Sequence, residues 1–213
     1  VVSLVLGCFF FGMLLCVFAL CVRKALSLGL AGVALLALCA HRHLHIFATS
    51  GLETMLFTFL VSTGVLLLAL RDKATVPGKP ERQLAIFAFV SLALATLTRP
   101  DGGIIYAVCA GYLFVFDWRQ NGPVSAARES VRHHLPSVGI LFPVLHEKSL
   151  YYGSIVPNTF YAKSASHPYV FQGIRYAALY FESYWPLGIA LILAVVFWRN
   201  LLLIRLPVLV VVA

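Results

Sequence analysis

The sequence predicts an all-α, polytopic transmembrane helical bundle with about seven or eight spans, and composition and run length are the main reasons. Apolar residues make up 61% of the 213 residues, charged residues make up only 11%, and the mean hydropathy is +0.93. A soluble domain carries about 25% charged residues, so this composition favours an integral membrane protein over a large soluble core. Period-2 alternation of apolar and polar residues is absent, which argues against a transmembrane barrel.

Eight apolar runs are the candidate spans, and the first matches the roughly 20 residues that a helix needs to cross a bilayer. Several later runs are shorter than about 17 residues and need flanking residues or shielding by neighbouring helices. The run at 135–150 is the weakest, because Pro136 and Pro143 interrupt it. Apolar runs stand at both ends, which predicts a single transmembrane domain over 1–213, an internal fragment of a longer chain. The runs are 1–22, 25–40, 55–70, 84–97, 104–116, 135–150, 177–198 and 201–213.

Basic residues orient these spans, because cytoplasmic loops of membrane proteins carry an excess of Lys and Arg. If the spans alternate in direction, three loops share one side and hold nine of the 16 Lys and Arg residues. We therefore expect this side to be cytoplasmic, and the net charge of +8 to reflect orientation rather than nucleic-acid binding. The nine residues are Arg23, Lys24, Arg71, Lys73, Lys79, Arg82, Arg119, Arg128 and Arg132.

The cytoplasmic loops themselves show no pattern that indicates catalysis. Segment 72–81, with its Pro-Gly-Lys-Pro sequence, predicts a solvated turn. The segment from Asp117 to His134 predicts an amphipathic stretch on the cytoplasmic surface, and His133 and His134 are expected at that surface.

Three polar groups stand at span ends on the opposite side, where polar side chains are costly unless they bind a ligand or one another. The first is Thr-Ser-Gly-Leu-Glu-Thr at 49–54, the second is Arg-Pro-Asp-Gly-Gly at 99–103, and the third occupies 151–163. With alternating spans all three face the periplasm or the exterior. We therefore expect them to form the rim of one binding cavity.

The first two groups each have a structural and a functional interpretation. Thr49 or Ser50 is expected to cap the following helix, with Glu53 close to its third position. Thr49 and Ser50 are also expected to bind substrate. Alternatively, Glu53 faces a cavity as a base or as a ligand for a substrate hydroxyl, and the two roles are compatible. Arg99 and Asp101 either hold a tight turn through a local ion pair, or Arg99 presents its planar guanidinium to a phosphate.

The third group holds more hydrogen-bonding side chains than an aromatic belt at the membrane interface requires. Tyr152 fits such a belt. Asn158 and Thr159 offer donors and acceptors suited to sugar hydroxyls. Tyr161 offers a face for stacking, and Lys163 offers a point charge that can hold a phosphate. We therefore expect this group to bind substrate.

His41, His43 and His45 alternate just before the first polar group. On a helix the three side chains point apart, and the usual carboxylate partner is missing, so contact of His45 with a phosphate or headgroup is favoured over a metal site. The five cysteines lie within apolar runs and are expected to be small apolar fillers. The sequence thus predicts no metal and no cofactor.

Together and in this order, the three polar groups resemble motifs of the bacterial polytopic glycosyltransferases of the GT-C superfamily, closest to the AftB-like arabinofuranosyltransferase group. That group typically shows T-S-G-L-E-T, then R-P-[DE]-G between two spans, then Y-Y-G-x-x-x-P-N-T-x-x-A-K. Here the motifs stand at 49–54, 99–102 and 151–163. The resemblance implies an enzyme of the bacterial plasma membrane that moves a sugar, such as arabinofuranose, from a polyprenyl-phosphate donor to an extracytoplasmic acceptor.

The resemblance also implies roles for single residues. It places the catalytic base in an acidic, usually Asp-Asp, loop ahead of the first span, so the main base is expected outside this chain. Glu53 and Asp101 are then expected to orient substrate, and Arg99 and Lys163 to stabilise the departing lipid phosphate. Expected partners are membrane lipid, the polyprenyl-phosphate sugar and a glycan or protein acceptor. Two alternatives stay open: a noncatalytic GT-C-like subunit of a larger membrane assembly, and a lipid or solute transporter.

Overall fold

The computed structural model describes residues 2–23, 32, 35–36, 38–39, 41–49, 53–71, 79–153 and 170–183. The predicted all-α class is confirmed, since 95% of these residues are helical and no strand occurs among them. Seven helices make up the described part of the chain: α1 (Val2–Arg23), α2 (Arg42–Thr49), α3 (Thr54–Arg71), α4 (Lys79–Thr98), α5 (Gly102–Asn121), α6 (Pro123–Tyr152) and α7 (Val170–Ser183).

Two of these helices are long and apolar enough to cross a membrane, judged by length and composition: Thr54–Arg71 in α3 and Glu81–Thr98 in α4. Helix α1 contributes a shorter apolar stretch, Val5–Ala19. The described residues therefore contain fewer candidate spans than the seven or eight predicted. Candidate spans 25–40, 177–198 and 201–213 lie largely outside the described residues.

Helices α3 and α4 pack closely and run antiparallel. Ser91 Oγ donates to the carbonyl of Leu60 at 2.8 Å, which ties the middle of α4 to the middle of α3. A Cβ added to Gly64 would lie 2.8 Å from the Leu92 side chain. Fully buried alanines, including Ala88, give α4 the small surface that this close approach requires. Small residues at helix contacts are typical of membrane helix packing.

Helix α1 packs parallel to α3. Gly12 lies against the Phe59 ring, and one turn further along both helices Cys16 Sγ lies 3.6 Å from Thr63 Oγ1. If spans alternate in direction, the first and the third run the same way, and α1 and α3 correspond to the first and third candidate spans. The C-terminal ends of α1 and α3, at Arg23 and Arg71, therefore point the same way.

The first unit of the structure consequently has two distinct ends. We name the Arg71 end after the residue that closes α3; α4 and α6 begin there and α5 ends there. The opposite Arg99 end holds the start of α3, the end of α4 and the start of α5. This division gives the polar residues described below their places.

Residues 117–134 do not form the expected amphipathic stretch on the surface, since most of them belong to helix α6. It begins at Pro123, directly after Gly122, whose φ of 80° ends α5. It then returns antiparallel alongside α5, since the Tyr106 hydroxyl and His134 Nδ1 are 2.8 Å apart. The His134 ring also packs 4.2 Å from that of Phe89, and His133 is buried. The prediction of surface histidines is wrong, because the burial of His133 and the ring contacts of His134 hold this face of α6 against its neighbours. Large apolar side chains of α6 such as Leu135 and Phe142 stay exposed.

The chain divides into two compact units, Val1–Pro143 and Val144–Val212. In the second unit, the described residues belong to the end of α6 and to α7. Helix α7 is amphipathic in sequence and exposes large apolar side chains such as Phe171 and Ile174. Its predicted span from residue 177 onwards is described only to residue 183.

Replacing Gly102 by alanine should destabilise the junction between α4 and α5. The added Cβ would lie 2.8 Å from the Cα and the amide nitrogen of Thr96, backbone atoms that cannot rotate away. We expect a loss of about 1–3 kcal/mol in the free energy of unfolding, measured as a lower midpoint of thermal unfolding in detergent. Gly103→Ala is the matched control, because its Cβ would meet only the Thr96 methyl group at 3.7 Å. An equal loss in both variants would contradict this prediction.

Candidate functional site

The second polar group forms the tight connection between α4 and α5. The N–H of Gly102 donates to the carbonyl of Arg99 at 3.0 Å. Arg99 Nη2 donates to Asp101 Oδ2 at 2.9 Å, so the predicted turn with a local ion pair is confirmed. The Asp101 side chain makes no cap hydrogen bond to α5, so its carboxylate pairs with Arg99 instead. This ion pair is exposed and adds at most about 1 kcal/mol to stability.

Arg99 also connects the second polar group to the first. Its guanidinium carbon lies 5.6 Å from the centroid of the Phe57 ring in the first turn of α3. The N–H of Phe57 donates to the carbonyl of Glu53 at 3.0 Å. Glu53, Arg99 and Asp101 therefore lie at the same end of the first unit. The Arg99 side chain is 37% exposed and Glu53 is exposed, so both remain accessible to a ligand.

The first polar group differs from the expected capping arrangement. Thr49 closes α2, where its hydroxyl donates to the carbonyls of His45 at 3.0 Å and Ile46 at 3.3 Å. Glu53 stands directly before α3, at the N-cap rather than near the third position. The prediction that Thr49 caps α3 is wrong, because a Thr hydroxyl in a last helical turn bonds back to its own helix. Ser50, the other predicted cap and substrate ligand, lies outside the described residues.

His45 is engaged within the fold. Its Nε2 contacts the backbone carbonyl of Cys39, and its ring lies 5.5 Å from the Phe10 ring of α1. The side chain nevertheless stays exposed, so its predicted contact with a phosphate or headgroup stays a prediction. Among the described residues, no group of three His, Cys, Asp or Glu side chains is arranged to hold a metal ion.

The third polar group begins in the second unit, where α6 ends. Tyr151 and Tyr152 are both exposed, with ring centroids 4.7 Å apart, and Gly153 follows with a φ of 66°. Four predicted substrate ligands lie outside the described residues: Asn158, Thr159, Tyr161 and Lys163. The convergence of the third group with the other two stays a prediction.

A second polar cluster, which the sequence patterns did not reveal, lies at the Arg71 end. Arg71 Nη2 donates to Asp117 Oδ1 at 2.7 Å, and each side chain is only 6% exposed. The Arg71 guanidinium also approaches the Glu81 carboxylate at 3.6 Å and the Phe116 ring at 5.9 Å from its centroid. These contacts join α3, α4 and α5 through one buried cation.

Glu129 connects α6 to this cluster. It accepts two hydrogen bonds from Arg82 at 3.3 Å and one from Arg132 at 2.7 Å. Its carboxylate also lies 3.7 Å from Nε2 of the buried His133. Burial alone would raise the pKa of Glu129, but the hydrogen bonds and charges of Arg132 and Arg82 hold it below its usual value. Glu129 is therefore ionised at neutral pH.

A cavity of about 190 Å³ opens between the buried ion pair and Glu129. It is large enough for several water molecules at about 30 Å³ each, or for a small polar ligand. Besides Arg71 and Asp117, the residues around it are Glu81, Arg82, Asn121, Ser125, Glu129 and His133.

One signal in the sequence could have indicated this cluster. Asp117 is the first charged residue after a long uncharged stretch in α5, and Arg71 is the first after the uncharged α3. An isolated charge at a span end requires a partner, and Arg71 and Asp117 are partners of one another. The positive-inside pattern accounts for Arg71 through membrane orientation alone and does not indicate its pairing with Asp117.

No family model matches this chain, and neither a curated protein nor a solved structure matches it.

Removing one partner of the buried ion pair should cost more stability than removing both. Arg71→Met leaves Asp117 as an unpaired buried carboxylate, and we expect a loss of about 3–5 kcal/mol in the free energy of unfolding. Adding Asp117→Leu should recover most of that loss, measured by chemical denaturation in detergent.

The matched control is Arg82→Met. The Arg82–Glu129 pair is partly exposed, so its loss should cost at most about 1 kcal/mol. A double variant no more stable than Arg71→Met alone would contradict the expected behaviour of a buried pair.

Proposed function

We propose that this chain is a polytopic glycosyltransferase of the bacterial plasma membrane that moves a sugar from a polyprenyl-phosphate donor to an acceptor on the periplasmic or exterior face. The observation that carries the proposal is the placement of Arg99, Asp101 and Glu53 at one accessible end of the first unit. These residues belong to two of the three motifs that resemble the GT-C group.

The distribution of charge supports the membrane part of this proposal. Arg82 in α4 and Arg99 directly after its end are 17 residues apart, and no charged residue separates them. At 1.5 Å per residue they are about 25 Å apart, close to the roughly 30 Å hydrocarbon core of a bilayer. Helices α3 and α5 repeat this pattern, and α1 ends in Arg23 at the same end as Arg71. The Arg71 end is therefore the cytoplasmic end in our proposal.

Arg99 is suited to hold the donor phosphate. Asp101 takes one hydrogen bond from its guanidinium, which has five N–H donors, so other donors stay available. The Asp101 pair and the Phe57 ring fix the orientation of the guanidinium before any ligand binds. A fixed cation stabilises the negative charge that develops on the lipid phosphate as the bond to the sugar breaks.

Glu53 lies near enough along the same rim to orient a sugar or acceptor hydroxyl. Its exposed carboxylate stands directly before α3, beside the N–H groups at the start of that helix. An ionised carboxylate accepts hydrogen bonds from hydroxyl groups. Substrate binding by Tyr152, Asn158, Thr159, Tyr161 and Lys163 stays a prediction from the sequence.

Two other functions are compatible with the same rim: a noncatalytic subunit that retains the donor site, and a transporter of lipid or solute. A transporter typically places its charges near the bilayer midplane on broken helices. The charges of α3, α4 and α5 stand at helix ends instead, which favours the transferase. A noncatalytic subunit would also bind the donor, so a measurement of sugar transfer, not of donor binding, distinguishes it from the transferase.

Transfer should depend on Arg99 in the full-length protein. With decaprenyl-phosphoryl arabinofuranose as labelled donor and an arabinan oligosaccharide as acceptor, we expect Arg99→Ala to lower the transfer rate by about a hundredfold or more. Arg99→Lys should recover only part of the rate, because an ammonium lacks the planar fork. Glu53→Gln should weaken use of the acceptor.

Arg119→Ala is the control, since Arg119 is an exposed arginine of α5 near the Arg71 end. It should leave transfer unchanged. Donor binding that depends on Arg99 without any transfer would favour the noncatalytic subunit. Absence of transfer, with donor binding equal in Arg99→Ala, Glu53→Gln and the unaltered protein, would overturn the proposal.

A further inference from the structure

One side of α6 carries large apolar side chains that are exposed and regularly spaced. Separations of four, three and four residues place them along one side of a helix. The opposite side of α6 packs into the first unit, where His133 and Ser137 are buried. We name the exposed side the apolar stripe. Its members are each more than half exposed: Val131, Leu135, Val138 and Phe142.

Arginines stand beside the apolar stripe where it approaches the Arg71 end. Arg128 is exposed and lies one turn before Arg132, whose side chain is 50% exposed. Arg82 of α4 is 47% exposed and shares a partner with Arg132, because both donate to the Glu129 carboxylate. Two cations thus share one carboxylate, and Arg128 forms no ion pair with a described residue.

Positive charge at this end exceeds the negative charge of the chain's own carboxylates. In the sequence, segments 71–82 and 117–132 hold seven Lys and Arg residues but four Asp and Glu residues. Three of those four, Glu81, Asp117 and Glu129, already contact arginines. A surplus of positive charge at a membrane surface attracts anionic headgroups, at about 1 kcal/mol for each Lys or Arg near the surface.

The depth of these arginines favours a lipid over a soluble anion. Arg82 is the second residue of the candidate span Glu81–Thr98, and its bond to Glu129 brings the Arg132 turn of α6 to the same level. Ten residues separate Arg132 from Phe142. At 1.5 Å per residue this is about 15 Å, half of the roughly 30 Å hydrocarbon core and hence one leaflet. The arginines and the stripe therefore match the headgroup and the acyl chain of one phospholipid.

We propose that the exposed side of α6 binds an anionic phospholipid such as phosphatidylglycerol, with its phosphate against Arg128 and Arg132 and one acyl chain along the apolar stripe. Arg82 adds to the positive field beside Arg132. Phosphatidylcholine carries a cation in its own headgroup, so it gains less from the surplus charge. The inference shares with the proposed function the membrane placement of the Arg71 end, but it is independent of sugar transfer.

The test uses the full-length protein in nanodiscs of phosphatidylcholine that contain a small fraction of a photoreactive lipid. This lipid carries a diazirine in one acyl chain and is either phosphatidylglycerol or phosphatidylcholine. After irradiation and digestion with trypsin, mass spectrometry measures the labelled fraction of peptide 133–148, which contains most of the apolar stripe.

We expect phosphatidylglycerol to label this peptide at least about fivefold more than phosphatidylcholine at equal mole fraction and low ionic strength. An ionic strength of 1 M shortens the Debye length to about 3 Å and should bring the two labelled fractions close together. Unlabelled phosphatidylglycerol should remove the excess labelling, whereas inorganic phosphate should not, because it gains nothing from the apolar stripe.

Two matched variants separate this site from the general charge of the protein. Arg128→Glu should lower labelling by phosphatidylglycerol to about the level of phosphatidylcholine. Arg119→Glu makes the same change of charge at the end of α5 and should leave the excess within about twofold of the unaltered protein. Both side chains are exposed, so both variants should keep the midpoint of thermal unfolding.

Equal labelling by the two lipids would overturn the proposal while supporting the membrane placement of α6. Labelling by neither would also overturn it, because the stripe would then be covered by protein. Competition by inorganic phosphate as strong as that by phosphatidylglycerol would rule out a lipid site. Equal losses in Arg128→Glu and Arg119→Glu would assign the preference to net charge and overturn the site on α6. Transfer that depends on Arg99 is measured separately, so failure here is distinguishable from failure of the proposed function.

Discussion

The buried ion pair between Arg71 and Asp117 is the interaction on which the first unit depends. It joins the last residue of α3 to the end of α5, and Glu81 brings the start of α4 to the same guanidinium. Two charges that are each 6% exposed have lost most of their hydration, so each requires the other in place. The pair therefore ties α3 to α5 at this end, while the Ser91–Leu60 hydrogen bond ties α3 to α4 at mid-length. We infer that the ion pair contributes to the register of these helices more than to net stability.

The two polar ends of α4 use similar residues in different ways. At the Arg99 end the cation is partly exposed, held by one carboxylate and one aromatic ring, and accessible. At the Arg71 end the cation is buried, and the groups around it form a network with Glu129 and Arg82. An exposed pair contributes little to stability and can exchange a partner for a ligand at small cost. The exposed pair at the Arg99 end is therefore suited to exchange a partner, whereas the buried pair at the Arg71 end is suited to a structural role.

Some of this arrangement was predictable from the sequence. The all-α class followed from composition, and the Arg99–Asp101 turn followed from the Pro and Gly that surround it, because both features are local. The buried Arg71–Asp117 pair was not predicted, because its partners are 46 residues apart and meet only when α3 and α5 pack. The position of Glu53 was predicted wrongly by a few residues, since the first turn of α3 begins later than the capping pattern indicated. The packing of His133 and His134 depended on the return of α6 along α5, which periodicity alone does not reveal.

Gly102 explains how the accessible site can be precise although its own contacts are weak. A side chain at this position would collide with the backbone of Thr96, so α5 can approach the last turn of α4 only where a glycine stands. This approach sets the direction of the connection that carries Arg99 and Asp101, and hence the distance from Arg99 to Phe57. The closely packed backbone thus positions the cation, and the ion pair and the ring only select its rotamer. A site built in this way would keep its geometry if Asp101 shared the guanidinium with a phosphate, as the proposed binding of a charged lipid donor requires.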